Sequence, residues 1–157
     1  MVAASYLLGN LAFGQTSDLY KQLVIREQKV QALEPDFGFN RDPKLLTIFA
    51  MVKREEDIPA VQNAIDATVE KFKTELVPVE KLEREKKHTR YAFLMNLDTP
   101  AKVAGNLARL IALTADLNAV NILYDTIAQL TPEDIRAAAR HYFVQKHRTI
   151  IILKGDQ

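Results

Sequence analysis

Near Gln28 the spacing of apolar residues changes from a helical to a strand period, and near Asp57 it changes back. Before the first switch Leu19, Leu23 and Val24 share one helical face; after it Val30 and Ala32, then Phe37 and Phe39, alternate. Residues 45–52 follow as an almost continuous apolar run rich in β-formers, which predicts a strand covered on at least one face. Everything in 57–143 is helical in spacing, and the chain closes on a β-branched run at 149–153. Two strand regions flanking a helical block imply an α+β domain, with helices covering one face of a mainly antiparallel sheet. The terminal strand is then expected to return past all the helices and pair with the early hairpin.

Local signals place the boundaries. Residues 2–12 are apolar on most faces, as in a short buried helix, and Gly14 punctuates it. Thr16 or Ser17 can cap the next helix, because a side-chain oxygen there satisfies unpaired amides of the first turn. Pro35-Asp36 is expected to interrupt the first strand, and the stretch 40–43, with Asn40 and Pro43, is turn chemistry. Asp57 is expected to cap a helix with Pro59 in its first turn and Val61, Ile65, Val69 and Phe72 as its buried stripe. Pro78 ends it, and a charged helix over 79–97 sets Glu80 against Arg84 and Glu83 against Lys87, pairs worth about 0.2–0.5 kcal/mol each. Thr99-Pro100 starts a helix carrying Val103, Leu107, Leu110 and Ile111; another, over 116–130, carries Val120, Leu123, Tyr124 and Ile127. The sharpest signal is Thr131-Pro132-Glu133-Asp134: a capping threonine, a proline at the first helical position, and acids at the positive end of the dipole.

A length of 157 residues with no internal repeat and no long linker reads as one domain, 1–157. Lys plus Arg is 21 against 20 Asp plus Glu, so the net charge of +1 gives no electrostatic reason to expect nucleic acid as partner. The absence of cysteine excludes disulfides and thiol nucleophiles but leaves the compartment open. No apolar run approaches the roughly 20 residues of a spanning helix, so no membrane span is expected. The start lacks a basic segment and runs straight into a helical pattern, so it does not read as a signal peptide.

Candidates for chemistry are few. Glu85 and His88 would share a helix face, as in carboxylate-bridged metal bundles, but those need a second such pair, and none is found. His141 sits where a helix C-terminus favours a protonated imidazole, and His147 in a loop before the last strand. Ser17, after Gly14, lacks the Gly-x-Ser-x-Gly frame and strand-to-helix turn of a nucleophile elbow, so it reads as a cap. Five single glycines form no phosphate loop. No catalytic, cofactor-binding or metal-binding residue is therefore assigned, and no cofactor is expected in this chain.

The string 14–24, opening Gly14-Gln15-Thr16-Ser17-Asp18-Leu19-Tyr20, precedes the strand-like pair near Val30 and 45–52. Thr131-Pro132-Glu133-Asp134-Ile135, His141-Tyr142-Phe143 and the closing run 149–153 complete the order. Together they resemble the C-terminal, non-zinc domain of a pitrilysin/insulinase-type (inverzincin) zinc metallopeptidase. The resemblance covers nearly the whole chain, yet the family's His-x-x-Glu-His motif is absent. It implies a metallopeptidase-like αβ sandwich lacking its first strand, a fragment whose Met1 is a cloning start, and a preceding domain that carries the zinc.

In active members a partner domain contributes an arginine and, seven residues on, a tyrosine that hold the substrate carbonyl and its oxyanion. The matching positions here are Val24 and Gln31, which can do neither; Arg26 and Tyr20 lie nearby at the wrong spacing. The resemblance thus implies a non-catalytic domain that helps enclose unfolded peptide for a partner zinc domain, with a second subunit as a further partner. The alternative is a non-enzymatic assembly module of the same fold, like the core subunits of respiratory complexes. An uncovered strand edge also predicts that this fragment associates with itself.

Overall fold

The computed structural model describes the chain except residues 39, 41, 43, 117, 156 and 157, and gives only the backbone at 109 and 110. The expectations for Phe39, Pro43 and the side chain of Leu110 lie outside the described residues. Helix α1, Val2–Phe13, is the hub of the fold. It is apolar all round, so it must be enclosed all round, and Leu7, Leu8 and Phe13 retain no exposed surface. The strand Val30–Asp36 and the helices Ile58–Thr74, Val79–Met95, Ala119–Gln129 and Pro132–Tyr142 all pack against it.

Helix α2, Asp18–Tyr20, continues directly into a π-helical turn, Lys21–Arg26. Ser17, not Thr16, is its cap: Ser17 Oγ accepts from the Tyr20 amide at 3.0 Å. Gln28 then takes a left-handed conformation (φ 52°), which turns the chain from helix into strand. β1 (Val30–Asp36) and β2 (Thr47–Val52) form an antiparallel pair. Val30 faces Val52 and Ala32 faces Met51, so Gln31 is an extra residue in a bulge. The bulge shifts the alternation, and the buried residues become Val30 and Leu33. On β2, Ile48, Ala50 and Val52 pack on the core while Thr47, Phe49 and Met51 face outward, so the helices do cover one face of the sheet.

After a 3-10 turn, Glu55–Asp57, come α3 (Ile58–Thr74), α4 (Val79–Met95), α5 (Pro100–Thr114), α6 (Ala119–Gln129) and α7 (Pro132–Tyr142). Val61 is buried, and Ile65, Val69 and Phe72 pack beside it against the core. Thr99 caps α5, accepting from the Lys102 amide. Thr131 and Asp134 cap α7 reciprocally, side chain to backbone in both directions. Ile135, Ala138 and Ala139 then bury against the core. At the far end of α7, Arg140 Nε donates to the Lys73 carbonyl, 2.7 Å away, in the last turn of α3. Among the described residues no single helix is long and apolar enough to cross a membrane.

Five expectations are corrected. Pro35 and Asp36 do not interrupt β1 but belong to it, with Pro35 opposite Ile48; β1 has no second neighbour among the described strands, and an edge tolerates a proline. Asp57 precedes α3 without capping it, because its carboxylate instead takes Arg54 Nε at 2.9 Å. On α4, Glu83 pairs with Lys86 (2.6 Å), not Lys87, because the Lys86 ammonium is drawn inward to the Ala128 carbonyl at 3.0 Å. The pairing of Glu80 with Arg84 does not form among the described residues either.

The fifth correction concerns residues 149–153, which are not a strand. Ile150, Ile151, Ile152 and Leu153 stand out in solvent, 51–89% exposed. The β-branched run has strand propensity but pairs with no described strand. Side chains hold the segment instead: Arg148 bonds Asp66 (2.7 Å) and Lys154 bonds Glu55, so it runs back along the first half of α3. The described sheet has two strands.

Candidate functional site

The segment from Tyr20 to Gln31 concentrates the backbone irregularity of the fold: a π-turn, a left-handed residue and a bulge within twelve positions. π-turns and bulges re-aim side chains and recur beside functional sites. A side-chain clasp holds this one. Gln22 Nε2 donates to Glu27 Oε1 at 2.7 Å and Lys29 pairs with Glu27 at 3.0 Å. These bonds, Gln22 first, keep the Glu27 carboxyl below the usual range.

Val24 lies half-buried in this segment against the core, and Gln31 is exposed at the bulge. Neither side chain carries charge. A hydrocarbon cannot stabilise an oxyanion, and the Gln31 amide lacks the acidity of a phenol. Tyr20 is half-buried on the core, while Arg26 is exposed at the end of the π-turn.

The remaining candidates fall on separate elements. Glu85 is buried, with one oxygen 3.5 Å from Thr16 Oγ1 and the other 3.7 Å from His88 Nδ1. It joins α4 to the loop before α2. His141, exposed in the last turn of α7, sets its ring edge-on to Tyr142 at 4.8 Å. His147 is exposed in a 3-10 turn, Gln145–His147. Among the described residues no three His, Asp or Glu side chains are grouped to hold a metal ion. Tyr124 on α6 is pushed up to about 12, first by burial and then by Tyr6, and stacks near Phe93 at 5.2 Å. That contact packs α6 on α4.

Sequence reasoning missed a groove of about 470 Å³ bounded by the α2–π segment, the later turns of α3 and the α3–α4 connection. Its lining residues, such as Leu19, Arg26, Lys71 and Val77, are scattered over the sequence. Only the packing of α3 against α2 collects them.

The sequence matches no family model and no curated protein. The structure is similar to a protease from Helicobacter pylori, with a TM-score of 0.74 and 23% identity over 91% of this chain and 34% of that one. It is also similar to a protein assigned as a zinc protease from Bordetella pertussis Tohama I, with a TM-score of 0.71 and 21% identity over 94% and 81% of the two chains. A third similar structure is the inactive peptidase domain of a protein assigned as a zinc protease from Bordetella parapertussis. There the TM-score is 0.74 and the identity 22%, over 99% of this chain and 84% of that one. The chain spans about a third of the H. pylori protease. It has the α+β fold of these protease domains, the class that its sequence order resembles.

Proposed function

We infer that this chain is the non-catalytic domain of a pitrilysin/insulinase-type zinc metallopeptidase, walling one side of a chamber in which a partner zinc domain hydrolyses unfolded peptide. The observation that carries this reading is the likeness, over 99% of the chain, to a peptidase domain described as inactive. Val24 and Gln31 support it, because the segment that would present charge to a substrate carbonyl presents none. Zinc belongs to the preceding domain, and a second subunit supplies the complementing half.

The uncovered surface fits such a part. The outward face of β2, with Phe49 and Met51, and the bare run 149–153 are apolar and exposed. In the parent protein a strand of the preceding chain covers this edge; in the isolated chain a second copy does. The test is made on the parent protein: chelator-sensitive cleavage of an unfolded peptide, lost when this domain is deleted and the zinc domain retained. A parent without peptidase activity and without an upstream zinc motif would instead indicate the assembly module.

A further inference from the structure

We propose that the groove between the α2–π segment and α3 binds an extended peptide segment in which acidic side chains alternate with apolar ones. The groove is lined by residues of this chain, so the proposal does not rest on the zinc-domain reading. At about 470 Å³ it falls within the roughly 300–1,000 Å³ of ordinary ligand clefts. Its floor is apolar: Leu11, Leu19 and Val77 are buried there, and Phe72 is half-buried. Leu76, 44% exposed, adds an apolar lip.

Charge on the rim is lopsided in use. Asp18 is consumed by Lys81, whose ammonium lies 2.9 Å from its carboxylate. That bond, with Lys81, Lys71 and Lys21 around it, keeps Asp18 ionised and below the usual range. Lys81 and Asp18 therefore cancel. Arg26 and Lys71 remain, both exposed on the groove and neither in an ion pair among the described residues. Glu75 is the one rim carboxylate left to oppose them. Arg26 and Lys71 against Glu75 leave one positive charge in excess over a greasy floor, which matches a ligand with an anion beside an aliphatic side chain. A basic peptide would meet the cations across the same floor and gain nothing.

The experiment titrates the 157-residue chain into two fluorescein-labelled, end-blocked heptapeptides, one alternating leucine with glutamate and the other leucine with lysine. Saturable binding of the glutamate peptide alone is expected, weakening as salt screens the rim. Arg26→Glu with Lys71→Glu is expected to weaken it about tenfold or more, since two exposed ion pairs are lost at up to about 1 kcal/mol each. Ala67→Phe, which fills the groove from the exposed wall of α3, is expected to abolish it. Circular dichroism and a melt establish that each variant is folded. Equal binding of both peptides, binding indifferent to the double reversal or to Ala67→Phe, or no saturable binding would each overturn the proposal.

Discussion

Gly9 and Phe37 touch so closely that position 9 has no room for a side chain: a Cβ there would stand 2.9 Å from Phe37 Cγ and 3.1 Å from Phe37 Cβ. The Phe37 ring is fixed in turn by Phe13 and Phe143, at centroid distances of 6.2 and 6.0 Å. This contact seats the end of β1 on α1.

Gly9→Ala therefore sets two effects against each other. Replacing a helix glycine stabilises by about 1 kcal/mol, whereas overpacking a filled core costs typically about 1–3 kcal/mol. Because the near atoms include Phe37 Cβ, the ring cannot swing clear without moving its backbone. Net destabilisation of about 1 kcal/mol is expected in urea unfolding. A stabilised single variant would refute the contact.

The α7 cap gives a prediction with a pH signature. The Thr131 amide, and then its hydroxyl, hold the Asp134 carboxyl below its ordinary value of 3.8. A carboxyl lowered on folding contributes stability that is present above the unfolded-state value and lost as pH falls through the folded one. Thr131→Ala is expected to cost about 1 kcal/mol at neutral pH. Asp134→Asn is expected to flatten the loss of stability below pH ~4. Acid titrations of the melting temperature that superimpose for wild type and Asp134→Asn would contradict this.

These two sites also mark what the sequence makes legible. Thr131-Pro132-Glu133-Asp134 can be read directly, because a cap is completed within four residues. The stripe on α3 is equally local. The terminal run misleads because β-branched residues report a backbone preference, while a strand also needs a partner that propensity cannot supply. Lys86 misleads for a related reason: its ammonium is taken by a carbonyl 42 residues away. The π-turn and the bulge at Gln31 leave no compositional trace. Proline at 35 is tolerated only because β1 is an edge, which is a property of the sheet. The absence of charge at Val24 and Gln31 was legible, but the groove at Arg26 and Lys71 was not.

The exposed terminal run predicts association. Four consecutive apolar side chains with unpaired backbone invite sheet pairing or burial against another copy. Light scattering is expected to show dimers or larger species that grow with concentration. Ile151→Lys with Leu153→Lys, at positions 77% and 89% exposed, is expected to shift them toward monomer without lowering the melting temperature. A wild-type chain that stays monomeric at high concentration would remove the idea.

Metal content is a separate check. Glu85, buried between Thr16 and His88, is the nearest thing to a ligand pair, and it lacks a third donor among the described residues. A zinc site needs three or four protein ligands. Dialysed protein is expected to carry far less than one zinc per chain by elemental analysis, and His88→Ala to leave that value unchanged. One tightly held zinc would show that a donor set has been missed.

Activity follows from the same residues. Hydrolysis of a peptide needs an activated water and donors aimed at the developing oxyanion; loss of a single such donor costs about a hundredfold to a thousandfold in rate. Val24 and Gln31 offer no such charge in the irregular segment. The isolated chain is expected to cleave no unfolded peptide, with or without added zinc. Val24→Arg with Gln31→Tyr is expected to leave it inactive, because among the described residues no side chains are grouped to hold a water-activating metal. Chelator-sensitive cleavage by the purified wild-type chain, with a contaminating protease excluded, would overturn the non-catalytic reading.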